Sequence, residues 1–271
     1  MTEEENRAVR SLKEIAGSIY DQIDSGKVPK MTLPLRTKSN IRFDPKHGVF
    51  KYGKATGARS AKKVNGALML LRTMYVLEFI EDMVQNGKSS TLREMYYISE
   101  GWEKAKFSSQ DESNMLAEDL EIVTACMRED FKLRAEENGA SIIGDLTISE
   151  MDRKGKVKRI NCRDDVGDSG YGIPNNVERE KVQLLGTNAK FVVAIETGGM
   201  FDRLVENGFD ERYNAVLVHL KGQPARSTRR FIKRLNEEMR LPVVVFTDGD
   251  PWSFRIFASV AYGAIKTAHI S

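Results

Sequence analysis

Two short runs of this sequence hold residues whose types and spacing could do chemistry. One is Leu92-Arg93-Glu94-Met95-Tyr96-Tyr97. A phenol gives up its proton only near pH 10, so a nucleophilic tyrosine needs a cation or a base beside it. Arg93 stands three residues before Tyr96 and four before Tyr97, on one face of a helix, close enough to favour a phenolate or to hold a scissile phosphate. A tyrosine packed in a core with its hydroxyl at the rim would give the same pattern. Adjacent helical residues point roughly 100° apart, so spacing leaves the choice between the two tyrosines open. In the second run, Glu196 closes the apolar stretch FVVAIE, and Asp248 and Asp250 follow PVVVFT in the loop TDGDP. Three carboxylates at one sheet edge repel each other unless a cation sits among them, and hard oxygen donors of this kind suit Mg2+. The plain alternative is a turn and a solvated strand end. A DxD after a strand is also the mark of haloacid-dehalogenase-type phosphatases. They place Thr four residues after the first Asp, where this chain has Trp252.

Composition narrows the remaining chemistry. Cys126 and Cys162 are the only cysteines, which excludes a disulfide scaffold and any zinc site built on four cysteines or on two with two histidines. A reducing compartment fits. His47, His219 and His269 are too scattered for a histidine-built metal centre. At 41% hydrophobic and 30% charged, with no apolar run long enough to cross a bilayer, the 271 residues read as a globular chain of one large or two ordinary domains. The acidic, amphipathic start MTEEENRAVRSLKEI is not a secretory signal. The net charge of +3 conceals an uneven distribution: from Lys27 to Lys63, eleven Lys and Arg face the single acid Asp44. One-sided charge over that length is an electrostatic footprint for nucleic acid.

The elements that must position these residues follow from periodicity. Residues 1–26 predict an amphipathic helix with Val9, Leu12, Ile15, Ile19 and Ile23 on one stripe, and Gly26 beyond its end. The basic segment that follows predicts an extended arm containing a hairpin, NIRF and VFKY around DPKHG. A helix over about 64–86 carries the stripe Leu68, Leu71, Tyr75, Phe79 and Val84. Thr91 and Glu94 have capping-box spacing and open a second helix through about Trp102. A third helix spans about 113–138, and SIIGDLTI and GKVKRINC flank the turn-rich MDRKG. Three helices followed by a hairpin look like a winged helix, a DNA-binding architecture. DDVGDSGYGIP reads as a linker. Beyond it, strands FVVAIE, NAVLVHL and PVVVFT alternate with helices over about 200–207, 226–240 and 252–269, predicting a parallel sheet covered on both faces, with ligands at the carboxyl ends of its strands.

The combination resembles the A subunit of archaeal type IIB DNA topoisomerase, topoisomerase VI, a family related to the meiotic double-strand-break transesterase. STLREMYYISEGW is similar to its catalytic tyrosine motif and YGIPNNVE to its interdomain segment. VVAIETGGMFDRLVENGF, KGQPARSTRRF and VVVFTDGDPWSFRI are similar to its Toprim domain. The resemblance implies two domains of α+β and α/β class: an N-terminal helix and basic arm (1–63), a winged-helix domain carrying the tyrosine (64–163), a linker (164–182) and a Toprim domain (183–271). Because family members continue past this point, it also implies a C-terminally incomplete fragment. It implies that Tyr97 is the nucleophile, since the first tyrosine of the pair can be phenylalanine in the family, with Arg93 beside it. Glu196, Asp248 and Asp250 become the acids that bind Mg2+. The family's basic residue shortly after the glutamate is absent here, where Thr197-Gly198-Gly199 stands.

The implied function is DNA cleavage and religation by an ATP-dependent topoisomerase. A homodimer acts on double-stranded DNA, each tyrosine working with the acids of the opposite protomer. The basic arm and the helix over 226–240 line the DNA path. No GxxxxGK[ST] phosphate loop occurs, so ATP belongs to a separate B subunit in an A2B2 assembly, with a cytoplasmic, nucleoid-associated archaeal location and no membrane. Three other readings compete: a meiotic-type break-forming transesterase, a metal-dependent Toprim nuclease, and a non-enzymatic winged-helix DNA binder.

Overall fold

A computed structural model describes residues 3–134, 139–152 and 154–263, which fall into two compact units divided between Glu136 and Glu137. That boundary lies inside the span 64–163 expected to form one domain. In the first unit, α1 (Glu3–Asp24) buries Ala8, Leu12 and Ile19, while Ile23 at the end of its stripe stays exposed. The basic segment is more ordered than an extended arm. β1 (Lys30–Pro34) pairs antiparallel with a later strand, Thr56–Ser60, and between them β2 (Ile41–Asp44) and β3 (Val49–Tyr52) form the expected hairpin. Asp44, the lone acid of the run, accepts from the backbone N–H of Lys46 at 3.0 Å and from Lys51 Nζ at 2.6 Å, closing the turn. The later strand is β4.

Part of the basic charge is neutralised internally. Asp119 is fully buried and receives Arg36 and both Nε (3.1 Å) and Nη2 (2.9 Å) of Arg59. The two arginines therefore tie the segment just after β1, and β4 itself, to the helix that carries Asp119. Replacing Asp119 with Ala takes the counter-charge from Arg59 and leaves Arg36 with Glu118 alone, and is expected to cost about 3 kcal/mol, read as a lower urea midpoint with unchanged slope.

α2 (Val64–Gln85) ends at Asn86, with Gly87 at φ 61° continuing the turn. Its buried face is Met69, Leu70, Arg72, Thr73, Val76, Leu77, Ile80 and Val84, one step around from the predicted stripe. Leu71 and Tyr75 are exposed instead. Two polar residues sit on the buried face and hide its period. Arg72 is held there by the carbonyl of Lys106 (Nε to O 3.0 Å) and by Glu112, and Thr73 by the carbonyl of Met69 at 2.8 Å. β5 (Ser90–Thr91), α3 (Leu92–Ile98), α4 (Gln110–Thr124) and β6 (Leu133–Arg134) complete the unit, with β5 parallel to β6.

Both latter helices are shorter than predicted. α3 stops because Ser99 turns its hydroxyl back to the carbonyl of Tyr96 at 2.6 Å, and 3-10 turns follow through Ala105. α4 stops at Ala125, which is left-handed at φ 51°. Arg128 then folds back on Glu121 (2.9 Å), both of them buried, and Phe131 and Leu133 enter the core. The predicted end at Asn138 lies outside the described residues.

The second unit holds β7 (Ser141–Ile143), β8 (Leu146–Met151), β9 (Val157–Asn161), β10 (Tyr171–Gly172), β11 (Val182–Thr187) and β12 (Phe191–Ile195). Then come α5 (Gly198–Glu206), α6 (Phe209–Tyr213), β13 (Ala215–His219), α7 (Arg226–Glu238), β14 (Val243–Phe246) and α8 (Pro251–Tyr262). The five-stranded sheet runs β10-β7-β13-β12-β14. β12, β13 and β14 are mutually parallel, as their continuous apolar runs predict, and β7 and β10 extend the sheet antiparallel. Both faces are covered. Val192 and Ala194 pack with Phe231 and Leu235 of α7 and Ile256 of α8, while Val193 and Ile195 pack with Phe201 of α5.

Three expectations change here. SIIGDLTI is two strands, broken at Gly144. Its φ is 141°, and a Cβ there would lie 2.6 Å from the carbonyl of Ala215. β7 joins the large sheet, and the β8–β9 hairpin joins β11 in a three-stranded sheet, so the hairpin expected as the wing belongs to the second unit. The supposed linker is built into the same unit: β10 pairs with β7, Ile173 is buried, and the Tyr171 hydroxyl donates to Glu150 at 2.7 Å. Several cations of α7 serve packing. Arg230 pairs with Glu178, and Arg234 donates to the carbonyl of Val182 at 2.7 Å and to Glu238 at 2.8 Å.

Candidate active site

The tyrosine helix is fixed at its start by the capping box its sequence announces. The Glu94 N–H donates to Thr91 Oγ1 at 3.0 Å, and the Thr91 N–H donates to Glu94 Oε2 at 3.3 Å. Ser90 Oγ adds a third bond to the same carboxylate at 2.8 Å. Leu92 and Met95 anchor the buried face. That register treats the two tyrosines differently. Tyr96 is half-buried and packs on the core formed by α1, α2 and α4, whereas Tyr97 is 57% exposed. Arg93 reaches along the helix to Tyr97: its Nη2 donates to the phenol oxygen at 3.4 Å, and its guanidinium carbon lies 5.8 Å from the ring centroid. The exposed phenol and a guanidinium thus share one patch of helix surface.

The acids sit where the parallel sheet puts them. β12 and β14 are neighbours, and the Glu196 N–H donates to the carbonyl of Phe246 at 3.0 Å, so the two strand ends are tied side by side. The Asp248 N–H points at Glu196 Oε2 at 3.4 Å, and Ser253 Oγ donates to the same oxygen at 3.0 Å. Asp250 caps α8 by accepting the Ser253 N–H at 2.7 Å, with Pro251 as the first helical residue. That backbone bond holds the Asp250 carboxyl below the usual carboxylate range. Ser253 therefore holds both acids, and the Asp250-Pro251-Trp252-Ser253 spacing of an N-cap and its third helical residue was the signal for it.

None of the three carboxylates pairs with a Lys or Arg among the described residues. Their hard oxygen donors suit a hydrated divalent cation. Among the described residues, however, no three His, Cys, Asp or Glu side chains are gathered closely enough to share one ion. The acids share one sheet edge without yet converging. Neither cysteine is poised as a thiolate: burial pushes the Cys162 thiol up to about 12 and raises Cys126 as well. His219 is stacked on Phe201 with ring centroids 5.2 Å apart.

Three family descriptions match consecutive parts of the chain. Residues 69–133 match type IIB DNA topoisomerase, residues 136–188 the all-beta domain of the DNA topoisomerase VI alpha subunit, and residues 191–271 the Toprim domain of Spo11 and the topoisomerase 6 A subunit. A protein of Archaeoglobus fulgidus named as the A subunit of type 2 DNA topoisomerase 6 is 58% identical over 271 residues, covering 100% of this chain and 74% of that protein. The chain belongs to this family. Its namesake in Natronomonas pharaonis is 56% identical over 270 residues, covering 99% of this chain and 73% of that protein. The Methanosarcina barkeri protein of the same name is 54% identical over 271 residues, covering 100% and 73%. Within this family of topoisomerase 6 A subunits, the first match contains Arg93, Tyr96 and Tyr97, and the Toprim match contains Glu196, Asp248 and Asp250. The fold is accordingly mixed α and β, with a Toprim domain built on the sheet that contains β12, β13 and β14.

Proposed function

We propose that this chain is the DNA-cleaving and religating subunit of a type IIB topoisomerase, with Tyr97 as its nucleophile. The observation that carries the reading is an exposed tyrosine with a guanidinium at its oxygen, on a capped helix, in a chain 58% identical to a named topoisomerase 6 A subunit. The Tyr97 oxygen attacks a backbone phosphorus of duplex DNA, the bond to the 3′-oxygen breaks, and the 3′-oxygen leaves with a proton. The product is a 5′-phosphotyrosyl link. Religation reverses the step and needs no ATP, because the ester keeps the bond energy. Arg93 supports charge on the phosphate as it reaches the phenol. Glu196, Asp248 and Asp250 would hold Mg2+, which neutralises charge developing on phosphate oxygens. Ser253 orients Glu196 and Asp250 for that task.

The unit around Tyr97 supports a winged-helix reading in a form different from the one first expected. α2, α3 and α4 form the three helices, and β5 before the tyrosine helix pairs with β6 after α4. Cutting both strands takes two tyrosines, hence a homodimer, and strand passage takes a separate ATPase B subunit in an A2B2 assembly. No described helix is long and apolar enough to cross a membrane, and action on chromosomal DNA places the enzyme in the archaeal cytoplasm at the nucleoid.

The testing experiment is relaxation of supercoiled plasmid by the full-length protein with Mg2+, ATP and purified B subunit. Relaxation is expected. Covalent cleavage without any relaxation would favour the break-forming transesterase instead. A second measurement concerns Arg93. Arg93→Ala is expected to slow covalent linkage about 100-fold with DNA binding retained, and Arg93→Lys to recover part of the loss, since one charge remains without the planar fork. Equal rates for all three proteins would remove Arg93 from the mechanism.

A further inference from the structure

The start of α8 carries one large side chain to the edge where the acids stand. Ser253, Ile256 and Ser259 are buried and mark the inward side of the helix. Trp252 stands four residues before Ile256, on that same side, yet is 63% exposed. Its place in the chain explains this. Trp252 is the second helical residue, after Pro251, and helical side chains lean toward the N-terminus, so the indole projects past the carboxyl end of the sheet instead of over it.

The bonds that fix the acids also fix this residue. Asp250 accepts the Ser253 N–H at 2.7 Å, and Ser253 Oγ donates to Glu196 Oε2 at 3.0 Å. Trp252 lies between Asp250 and Ser253, inside that pair of bonds. Among the described residues the indole meets no other aromatic ring. Its neighbour is Arg255, whose guanidinium carbon lies 5.1 Å from the ring centroid and which makes no ion pair among the described residues. An exposed indole with a cation over it is a flat apolar surface of the kind on which a nucleobase stacks.

The chemistry leaves one end of the broken strand without a tether. The 5′-phosphate side is esterified to Tyr97, whereas no covalent bond holds the 3′-hydroxyl side. In religation the 3′-oxygen attacks the phosphorus of the tyrosyl ester, and the phenol oxygen leaves and takes up the hydroxyl proton. That step is fast only if the 3′-hydroxyl end stays in place. We propose that the terminal base on the 3′-hydroxyl side of the break stacks on the Trp252 indole, which makes Trp252 a positioning residue for religation; this rests on the transesterase reading for the identity of the strand.

The test uses full-length protein with B subunit, ATP and Mg2+, and a duplex whose 3′-hydroxyl fragment is only a few nucleotides long. That fragment dissociates after cleavage and traps the covalent complex. Religation is started by adding oligonucleotides that end in the 3′-hydroxyl, and its rate is followed against their concentration. Trp252→Ala is expected to raise the half-saturating concentration about tenfold, with the maximal rate within about threefold. Trp252→Phe keeps a ring and recovers most of the loss. Phe254, 71% exposed, points about 200° away around the helix, and Phe254→Ala is expected to change neither value. A missing terminal base costs the native protein about tenfold more than it costs Trp252→Ala, because only the native protein has that stack to lose. Equal half-saturating concentrations for native protein and Trp252→Ala, or equal costs of the missing base, would overturn the proposal. So would a Trp252→Ala protein that fails to fold, which would assign the indole to packing. If no covalent complex forms at the outset, the transesterase reading fails and takes this role of Trp252 with it; a complex that forms and religates alike in both proteins rejects Trp252 alone.

Discussion

Tyr97→Phe abolishes covalent capture of DNA, by at least about 10^4-fold, while duplex affinity stays within about threefold. The substitution removes one oxygen from a side chain that is 57% exposed, so neither the core nor the capping box of α3 is disturbed. Tyr96→Phe is the matched control. Its half-buried ring packs on the helical core, and losing its hydroxyl leaves capture within about threefold, because an oxygen on a ring turned toward the core contributes little to a reaction at the helix surface. Denaturing gels of labelled duplex incubated with protein and Mg2+ read both variants directly. If the two variants lose capture equally, exposure has misidentified the nucleophile. If neither protein nor variant captures DNA, the chain is a DNA binder of another kind.

Glu196→Gln is the second large effect, a fall of about 100- to 1,000-fold in Mg2+-dependent cleavage. Glutamine keeps an amide oxygen able to accept from Ser253 Oγ, now 3.0 Å from Glu196 Oε2, and leaves the backbone tie to Phe246 untouched, so the substitution changes charge and not shape. A wild-type melting curve with a lost metal response is therefore expected. This pair of variants also separates the enzyme classes. In a nuclease that uses metal-bound water, cleavage survives Tyr97→Phe and dies with Glu196→Gln, whereas in the transesterase each substitution alone stops cleavage.

Much of the site can be read in the sequence because short-range chemistry dictates it. Thr91 and Glu94 predict the start of the tyrosine helix, and the apolar runs ending in Glu196 and before Asp248 predict parallel strands whose carboxyl ends lie together. What local pattern cannot carry is partner choice. The α2 stripe is misplaced by one position because Arg72 is buried on carbonyls and Glu112 that lie more than thirty residues away. The basic segment looks like a free arm until Asp119, on another element, claims Arg36 and Arg59. β7 alternates like half of a hairpin, yet pairs across the chain with β13. Adjacent tyrosines are indistinguishable by period, and only the depth of the α3 register separates them. The net charge of +3 is a similar composite, since several of its cations are spent inside the fold.

The central claim is that DNA becomes esterified to this chain through one phenol. Its most direct test is to trap the reaction with Mg2+ on a duplex, digest protein and DNA, and identify the nucleotide-bearing peptide by mass spectrometry. The account predicts a single adduct on Tyr97, joined through a 5′-phosphate, with a free 3′-hydroxyl on the other side of the break. An adduct on Tyr96, a link through a 3′-phosphate, or broken DNA with free 5′-phosphates and no adduct would contradict it.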